Sequence, residues 1–239
     1  MSLSVHIRKK IGEFFLQSDF EAEDEILALL GPSGCGKSLT LKCIAGIEQP
    51  DEGTITLSGR VLFDSSAKVN LPPQKRKVGY MFQNYALFPN MTVRKNVLAG
   101  MGKRPDPSFA DPFLEQFRIA DLADRLPGQL SEGQKQRTAM ARIVAQAPDV
   151  ILLDEPFSAM DTVLKWQLEQ EMLHVLQEVK KPAVFVSHNI DEVYMLSRKV
   201  CSMKEGKTLE TTSTEEYFDK LKAGTAAMMS GWRILPPES

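Results

Sequence analysis

The segment Gly31-Pro32-Ser33-Gly34-Cys35-Gly36-Lys37-Ser38 matches G-x-x-x-x-G-K-[ST], the phosphate-binding loop. The glycines allow backbone N–H groups to turn inward around an anion. Lys37 has the reach and charge for β- and γ-phosphates, and the Ser38 hydroxyl suits Mg²⁺. The flanks fit this reading. Glu25 to Leu30 is a short apolar run that reads as a buried strand, and Leu39 to Ala45 reads as a helix. A helix N-terminus adds about half a unit of positive charge. A ligand-free glycine-rich turn between two core elements is the alternative, and the completeness of the motif argues against it. The loop points to a nucleoside triphosphate but not to the use made of its energy.

A second segment supplies carboxylates. Asp149-Val-Ile-Leu-Leu-Asp-Glu-Pro156 is an apolar run ending in two acids and a proline. Such a run reads as a strand buried on both faces of a parallel sheet. Its C-terminal end emerges where such sheets bind ligands. Asp154 is expected to hold Mg²⁺, and Glu155 to polarise the attacking water.

Leu130-Ser131-Glu132-Gly133-Gln134 resembles the signature motif of the ATP-binding-cassette ATPases, usually Leu-Ser-Gly-Gly-Gln. Gln83, closing Val78-Gly-Tyr-Met-Phe-Gln83, resembles that family's Q-loop glutamine. Ser158-Ala-Met-Asp161 resembles its D-loop, and His188, closing Val184-Phe-Val-Ser-His188, its switch histidine. The segments occur in family order, and the resemblance covers nearly the whole chain. It implies an α/β fold: a P-loop ATPase core with a mostly parallel sheet, an antiparallel β subdomain and an inserted helical lobe. The whole of 1–239 is then one cassette domain with the lobe at about 84–147, and no C-terminal regulatory domain is expected.

The same resemblance implies ATP and Mg²⁺ as ligands and an ATP-dependent, head-to-tail homodimer. Residues 31–39, ending at Leu39, would bind the nucleotide in one subunit. Ser131, Gly133, Gln134 and Asp161 would complete the site across the dimer. Ser38, Gln83 and Asp154 would hold the metal, and Glu155, His188 and Gln83 would be catalytic. The expected partners are integral membrane permease subunits and, indirectly, an extracytoplasmic solute-binding protein. The expected location is cytoplasmic, on the inner face of the membrane through the permease.

The residues of the signature make independent sense. Ser131 is a good N-cap for a helix carrying Met140, Ile143 and Val144 on one face. That helix start, with the bare backbone of Gly133, reads as a second anion site. Two departures from the family stand out. Glu132 replaces the usual first glycine, and its carboxylate would be repelled by a triphosphate unless it points away or meets a cation. Ile11-Gly12-Glu13 stands where many members place an adenine-stacking aromatic, so an aliphatic partner is expected; Phe14 and Phe15 are read as alternating into a strand core.

The elements that position these residues follow from the pattern. Thr54 to Leu57 and Val78 to Phe82 read as strands. From Thr92 to about Ala147 helical patterns replace them. Leu164, Leu168, Met172, Leu176 and Val179 recur at helical spacing. Gln83 ends a core strand just before the lobe and reads as a hinge between γ-phosphate and lobe. Asn84-Tyr-Ala-Leu-Phe-Pro89 is apolar for a surface loop and reads as a docking surface; the alternative is that Tyr85, Leu87 and Phe88 close the lobe's own core.

Composition bounds the rest. The chain has 239 residues, 43% hydrophobic and 25% charged, with a formal net charge of -2. That allows a full core and gives no reason to expect nucleic acid. Lys75-Arg76-Lys77 reads as a solvated turn. Cys35, Cys43 and Cys201 are odd in number, fit no metal motif and point to a reducing compartment; Cys35 reads either as accessible to alkylation or as a small residue required by a tight loop. No run approaches the roughly 20 apolar residues needed to span a bilayer. His6 and His174 carry no functional context, and Trp166 and Trp232 read as packing residues.

Three classes of function fit. The ATPase subunit of a membrane importer comes first. A soluble cassette ATPase lacks support, because there is no basic stripe and no second cassette. A non-catalytic nucleotide-binding regulator conflicts with the presence of Lys37, Ser38, Asp154, Glu155 and His188 together. Gly59 to Asp64 and Leu71 to Tyr80 look most like ATPases of molybdate importers. Importers of iron, sulfate, polyamines and sugars share much of that pattern.

Overall fold

The structure, a computed structural model, describes residues 1–101, 106–157 and 162–230, with the backbone alone at 162–164 and 224–230. The chain runs β1 (Leu3–Ile11), β2 (Phe14–Ala22), β3 (Ile26–Leu30), α1 (Lys37–Ala45), β4 (Glu52–Leu57), β5 (Arg60–Asp64), β6 (Val69–Asn70), α2 (Pro73–Arg76) and β7 (Val78–Met81). It continues through α3 (Val93–Ala99), α4 (Asp111–Gln116), α5 (Glu132–Ala145), β8 (Val150–Asp154), α6 (Thr162–Val179), β9 (Ala183–Ser187), α7 (Ile190–Leu196), β10 (Lys199–Lys204), β11 (Lys207–Ser213) and α8 (Thr214–Ser230).

One sheet joins all the strands, in the order β6-β5-β4-β1-β2-β11-β10-β3-β9-β8-β7. Its character changes along its width. β10, β3, β9, β8 and β7 pair in parallel. β3, β8 and β9 are buried at every position, as expected of strands covered on both faces. The other side, β1, β2, β4, β5 and β6, is an antiparallel arm that alternates inward and outward residues. A single parallel pair, Lys207 with Gln17, joins β11 to β2 across the change.

Two apolar clusters cover the faces. One packs α1 and the arm on the sheet through Leu41, Ile44, Leu16 and Ile55. The other packs α3, α4, α5 and α6 through Val97, Leu114, Met140, Leu168 and Met172. Between Gln83 and Val150 the described residues form helices and turns without a strand. The helical spacing on α6 meets the core at Leu168, Met172 and Leu176; the Leu164 side chain and Trp232 lie outside what is described.

Several sequence expectations change. Phe15 is 46% exposed, and only Phe14 turns to the core, because strand alternation can bury one of two adjacent rings. Trp166, on α6, is 61% exposed and is not a core residue. Cys35 turns from the phosphate-binding loop into the apolar core, so its thiol is shielded. Tyr85 and Leu87 close the lobe core, and Phe88 alone of the three stays exposed.

The largest correction is Arg76. It is fully buried, not part of a solvated turn. Its guanidinium donates to the carbonyls of Leu71 (2.7 Å), Cys43 and Ile44 (2.8 Å each) and to Asn70 Oδ1 (2.8 Å). Cys43 and Ile44 end α1, where carbonyls lack helical partners and the dipole favours a cation.

Candidate active site

The phosphate-binding loop is set by backbone constraints before any side chain is counted. Gly34 and Gly36 have φ of +79° and +109°, and Gly36 is the residue from which α1 starts. At Gly31 a Cβ would lie 2.2 Å from the Met203 carbonyl oxygen, so β10 forbids any side chain there. The turn after β10 also holds the loop, since Gly206 N–H donates to the Cys35 carbonyl at 3.1 Å. Pro32 and Ser33 face solvent, and Leu39 packs inward from the first turn of α1. Lys37 is buried, and its Nζ donates to the carbonyls of Gly31 (2.7 Å) and Pro32 (3.0 Å).

Ser38, in the first turn of α1, meets Asp154 at the C-terminal end of β8, although β9 lies between β3 and β8 in the sheet. Ser38 Oγ donates to Asp154 Oδ1 at 2.6 Å. The other oxygen, Oδ2, accepts from the Tyr80 hydroxyl at 2.8 Å. Burial, with the adjacent Asp154 charge, pushes the Tyr80 hydroxyl far above its usual range, so it stays protonated and donates.

The next residue, Glu155, is held at φ +46°, a left-handed conformation that costs about 1–3 kcal/mol for a non-glycine residue. Its N–H donates to the Val186 carbonyl at 3.2 Å, which fixes the turn against β9. The side chain faces two other expected residues. Gln83 Nε2 donates to Oε2 at 3.4 Å, and His188 Nδ1 lies 3.5 Å from Oε1. Gln83 is therefore placed on Glu155, while Ser38 pairs with Asp154.

Ser131, Gly133 and Gln134 open α5. Ser131 caps the helix, and Gln134 Oε1 accepts from the Ser131 N–H at 3.0 Å, a reciprocal capping box. Gly133 is buried in this chain, and a Cβ there would lie 3.2 Å from Leu168 Cδ1 of α6. Glu132 meets a cation, Lys135 Nζ, at 2.6 Å. Asp161 and Ser158 to Met160 lie outside the described residues.

Other residues escaped the sequence reading. Tyr80 lies within a run that reads only as a strand, and its contact is with Asp154 on the next strand. Arg142, on α5, donates to the carbonyls of Tyr85 (2.8 Å) and Ala86 (2.7 Å), both at positive φ, and lies over the Phe88 ring. Glu192 joins Ser187 Oγ (2.6 Å) to Lys165 Nζ (2.5 Å), tying the strand before His188 to α6. His6 and His174 lie beside Asp19 and Glu178, away from these residues.

Comparison with known proteins bears on the same arrangement. A profile described as ABC transporter matches residues 19–158. The spermidine/putrescine import ATP-binding protein of Nitratidesulfovibrio vulgaris is 44% identical over 82% of this chain and 53% of its own length. The molybdenum import ATP-binding protein of Paramagnetospirillum magneticum is 38% identical over 90% of this chain and 60% of its own. The chain thus spans little more than half of these relatives. A solved dimeric ATP-binding cassette, in a post-hydrolysis state bound to ADP and Pi, superposes with a TM-score of 0.73. It is 26% identical and covers 90% of this chain and 99% of its own.

Proposed function

The chain belongs to the ABC transporter family, and from that premise we propose that it binds ATP with Mg²⁺ and hydrolyses it in a head-to-tail homodimer. In this reading it drives a membrane importer through permease subunits that load it onto the inner face of the membrane. An extracytoplasmic solute-binding protein would deliver the cargo to the permease. The observation that carries the reading is the pairing of Ser38 with Asp154 beside a Glu155 flanked by Gln83 and His188.

The residues present fit a magnesium nucleotide. Mg²⁺ takes one or two protein oxygens and draws the rest from phosphate and water. Ser38 and Asp154 offer two adjacent oxygens, and among the described residues no three His, Cys, Asp or Glu gather into an all-protein cage. When bound, the cation neutralises charge developing on the transferred phosphoryl group. The chain's own groups do the rest. Lys37 exchanges two loop carbonyls for phosphate oxygens. Backbone N–H groups at the start of α1 orient the phosphates. Glu155 accepts a proton from the attacking water at a carboxylate oxygen. His188 and Gln83 hold that carboxylate in place, and Gln83 links it to the lobe at about 84–147. Among the described residues no helix is long and apolar enough to cross a membrane, which suits a subunit that works through a permease.

Ser131, Gly133, Gln134 and Asp161 belong in this reading to the partner-facing half of the site. The Glu132 carboxylate already has a counter-charge in Lys135, in a half-exposed pair worth on the order of 1 kcal/mol. Glu132→Gly is therefore expected to change ATP-dependent dimerisation by less than about fivefold. Lys135→Ala, which leaves the carboxylate bare, is expected to weaken it. Sedimentation with ATP checks this; a dimer greatly tightened by Glu132→Gly would show that the carboxylate faces the triphosphate.

Molybdate or a related oxyanion is the cargo favoured by the segments Gly59 to Asp64 and Leu71 to Tyr80. The 44% identity to a polyamine import subunit favours a polyamine as the second reading. Reconstitution with permease and solute-binding protein in liposomes tests both. Stimulated ATP hydrolysis with molybdate-loaded binding protein is expected. Stimulation by polyamine, iron, sulfate or sugar alone would replace the cargo. Hydrolysis indifferent to any permease, with no permease retained in detergent extracts, would move the chain to a soluble cassette ATPase.

A further inference from the structure

The parallel pairing of β7 with β8 sets Tyr80 opposite Leu152. Asp154 lies two residues further along β8, on the same face as Leu152. A tyrosine is long enough to reach that carboxylate, and its hydroxyl lies 2.8 Å from Oδ2. The ring is held against Phe82, with centroids 4.5 Å apart, so the hydroxyl has little freedom to leave. Ser38 Oγ occupies the opposite oxygen, Oδ1. The buried carboxylate is thus gripped on both oxygens by donors of different kinds. Ser38 belongs to the phosphate-binding loop and has its own duty toward the nucleotide. Tyr80 belongs to the sheet and has none.

We infer that Tyr80 is a positioning residue for the metal: by occupying Oδ2 it fixes the rotation of the Asp154 carboxylate, leaving Oδ1, beside the Ser38 hydroxyl, to face the cation. The inference rests on the reading of Asp154 as a metal-holding residue. A carboxylate only accepts, so the Tyr80 hydroxyl is the donor in this contact. Groups that orient a metal's direct partners are typically worth about 10–100-fold in metal affinity.

The test uses the whole chain with a non-hydrolysable ATP analogue, and reads Mn²⁺ binding by the paramagnetic resonance signal of the free ion. Tyr80→Phe keeps the ring and its contact with Phe82 and removes only the donor. It is expected to weaken Mn²⁺ binding about tenfold. Affinity for the analogue without metal is expected to stay within about twofold of the unsubstituted chain. Asp154→Asn is the companion and is expected to lose far more. If Tyr80→Phe binds Mn²⁺ normally while Asp154→Asn does not, the Tyr80 inference falls and the reading of Asp154 stands. If Asp154→Asn also binds normally, both fall. Equal loss of analogue binding with and without metal in Tyr80→Phe would assign the hydroxyl to folding and overturn the inference.

Discussion

Glu155→Gln is expected to bind ATP as well as the unsubstituted chain and to hydrolyse it about 10²–10⁴ times more slowly, the usual cost of a lost general base. The amide keeps the shape of the carboxylate, so the contacts with Gln83 and His188 are retained in outline. The φ of +46° and the bond from the Glu155 N–H to Val186 belong to the backbone and survive the change. What disappears is the ability to take a proton from water. The phosphate-binding residues, Lys37 above all, are untouched. ATP should therefore hold two subunits together without being consumed. Single-turnover hydrolysis and sizing in ATP provide the check. Turnover within a few-fold of normal would remove Glu155 from its proposed role.

Arg76→Met is expected to lower stability by about 3–5 kcal/mol. The substitution leaves three carbonyls and the Asn70 side chain without the donor they share in a fully buried position. At about 2–4 °C per kcal/mol for a chain of this size, the melting midpoint should fall by roughly 6–20 °C. Arg76→Lys should recover little, because an ammonium has three donors on a point and cannot span acceptors spread around a planar fork. A midpoint shift below about 3 °C for Arg76→Met would mean that water or a rearranged loop satisfies those carbonyls. The same bonds tie the end of α1 to the loop before β7, so the loss should be felt at the helix that begins with Lys37 and Ser38.

Much of this architecture is legible in the sequence because its signals are local. The loop from Gly31 to Ser38, the buried runs at Ile26, Val150 and Ala183, and the cap at Ser131 each announce themselves within a few residues. Residues whose meaning depends on distant chain segments are not legible. Arg76 looks like one charge in a basic cluster, yet its acceptors include Cys43 and Ile44, on a helix about thirty residues earlier. Tyr80 and Arg142 likewise answer to Asp154 and to residues 85–86. The close approach of Leu168 to Gly133 is equally a long-range contact that no local pattern announces. Phe15 and Trp166 show the converse: a large apolar side chain is a statement about composition, and only strand or helix phase decides which way it faces.

One guanidinium serves both the helix that begins at the signature motif and the loop that follows Gln83. Arg142 holds two successive carbonyls at positive φ, so the loop cannot relax to an ordinary conformation while the clamp is closed. The helix and the loop are therefore tied to each other through one side chain. The exposed Phe88 ring lies under the same guanidinium, so the tie reaches the surface of the lobe. One side chain thus ties the helix that Ser131 caps to the loop after Gln83, and its loss would free both ends of the tie at once.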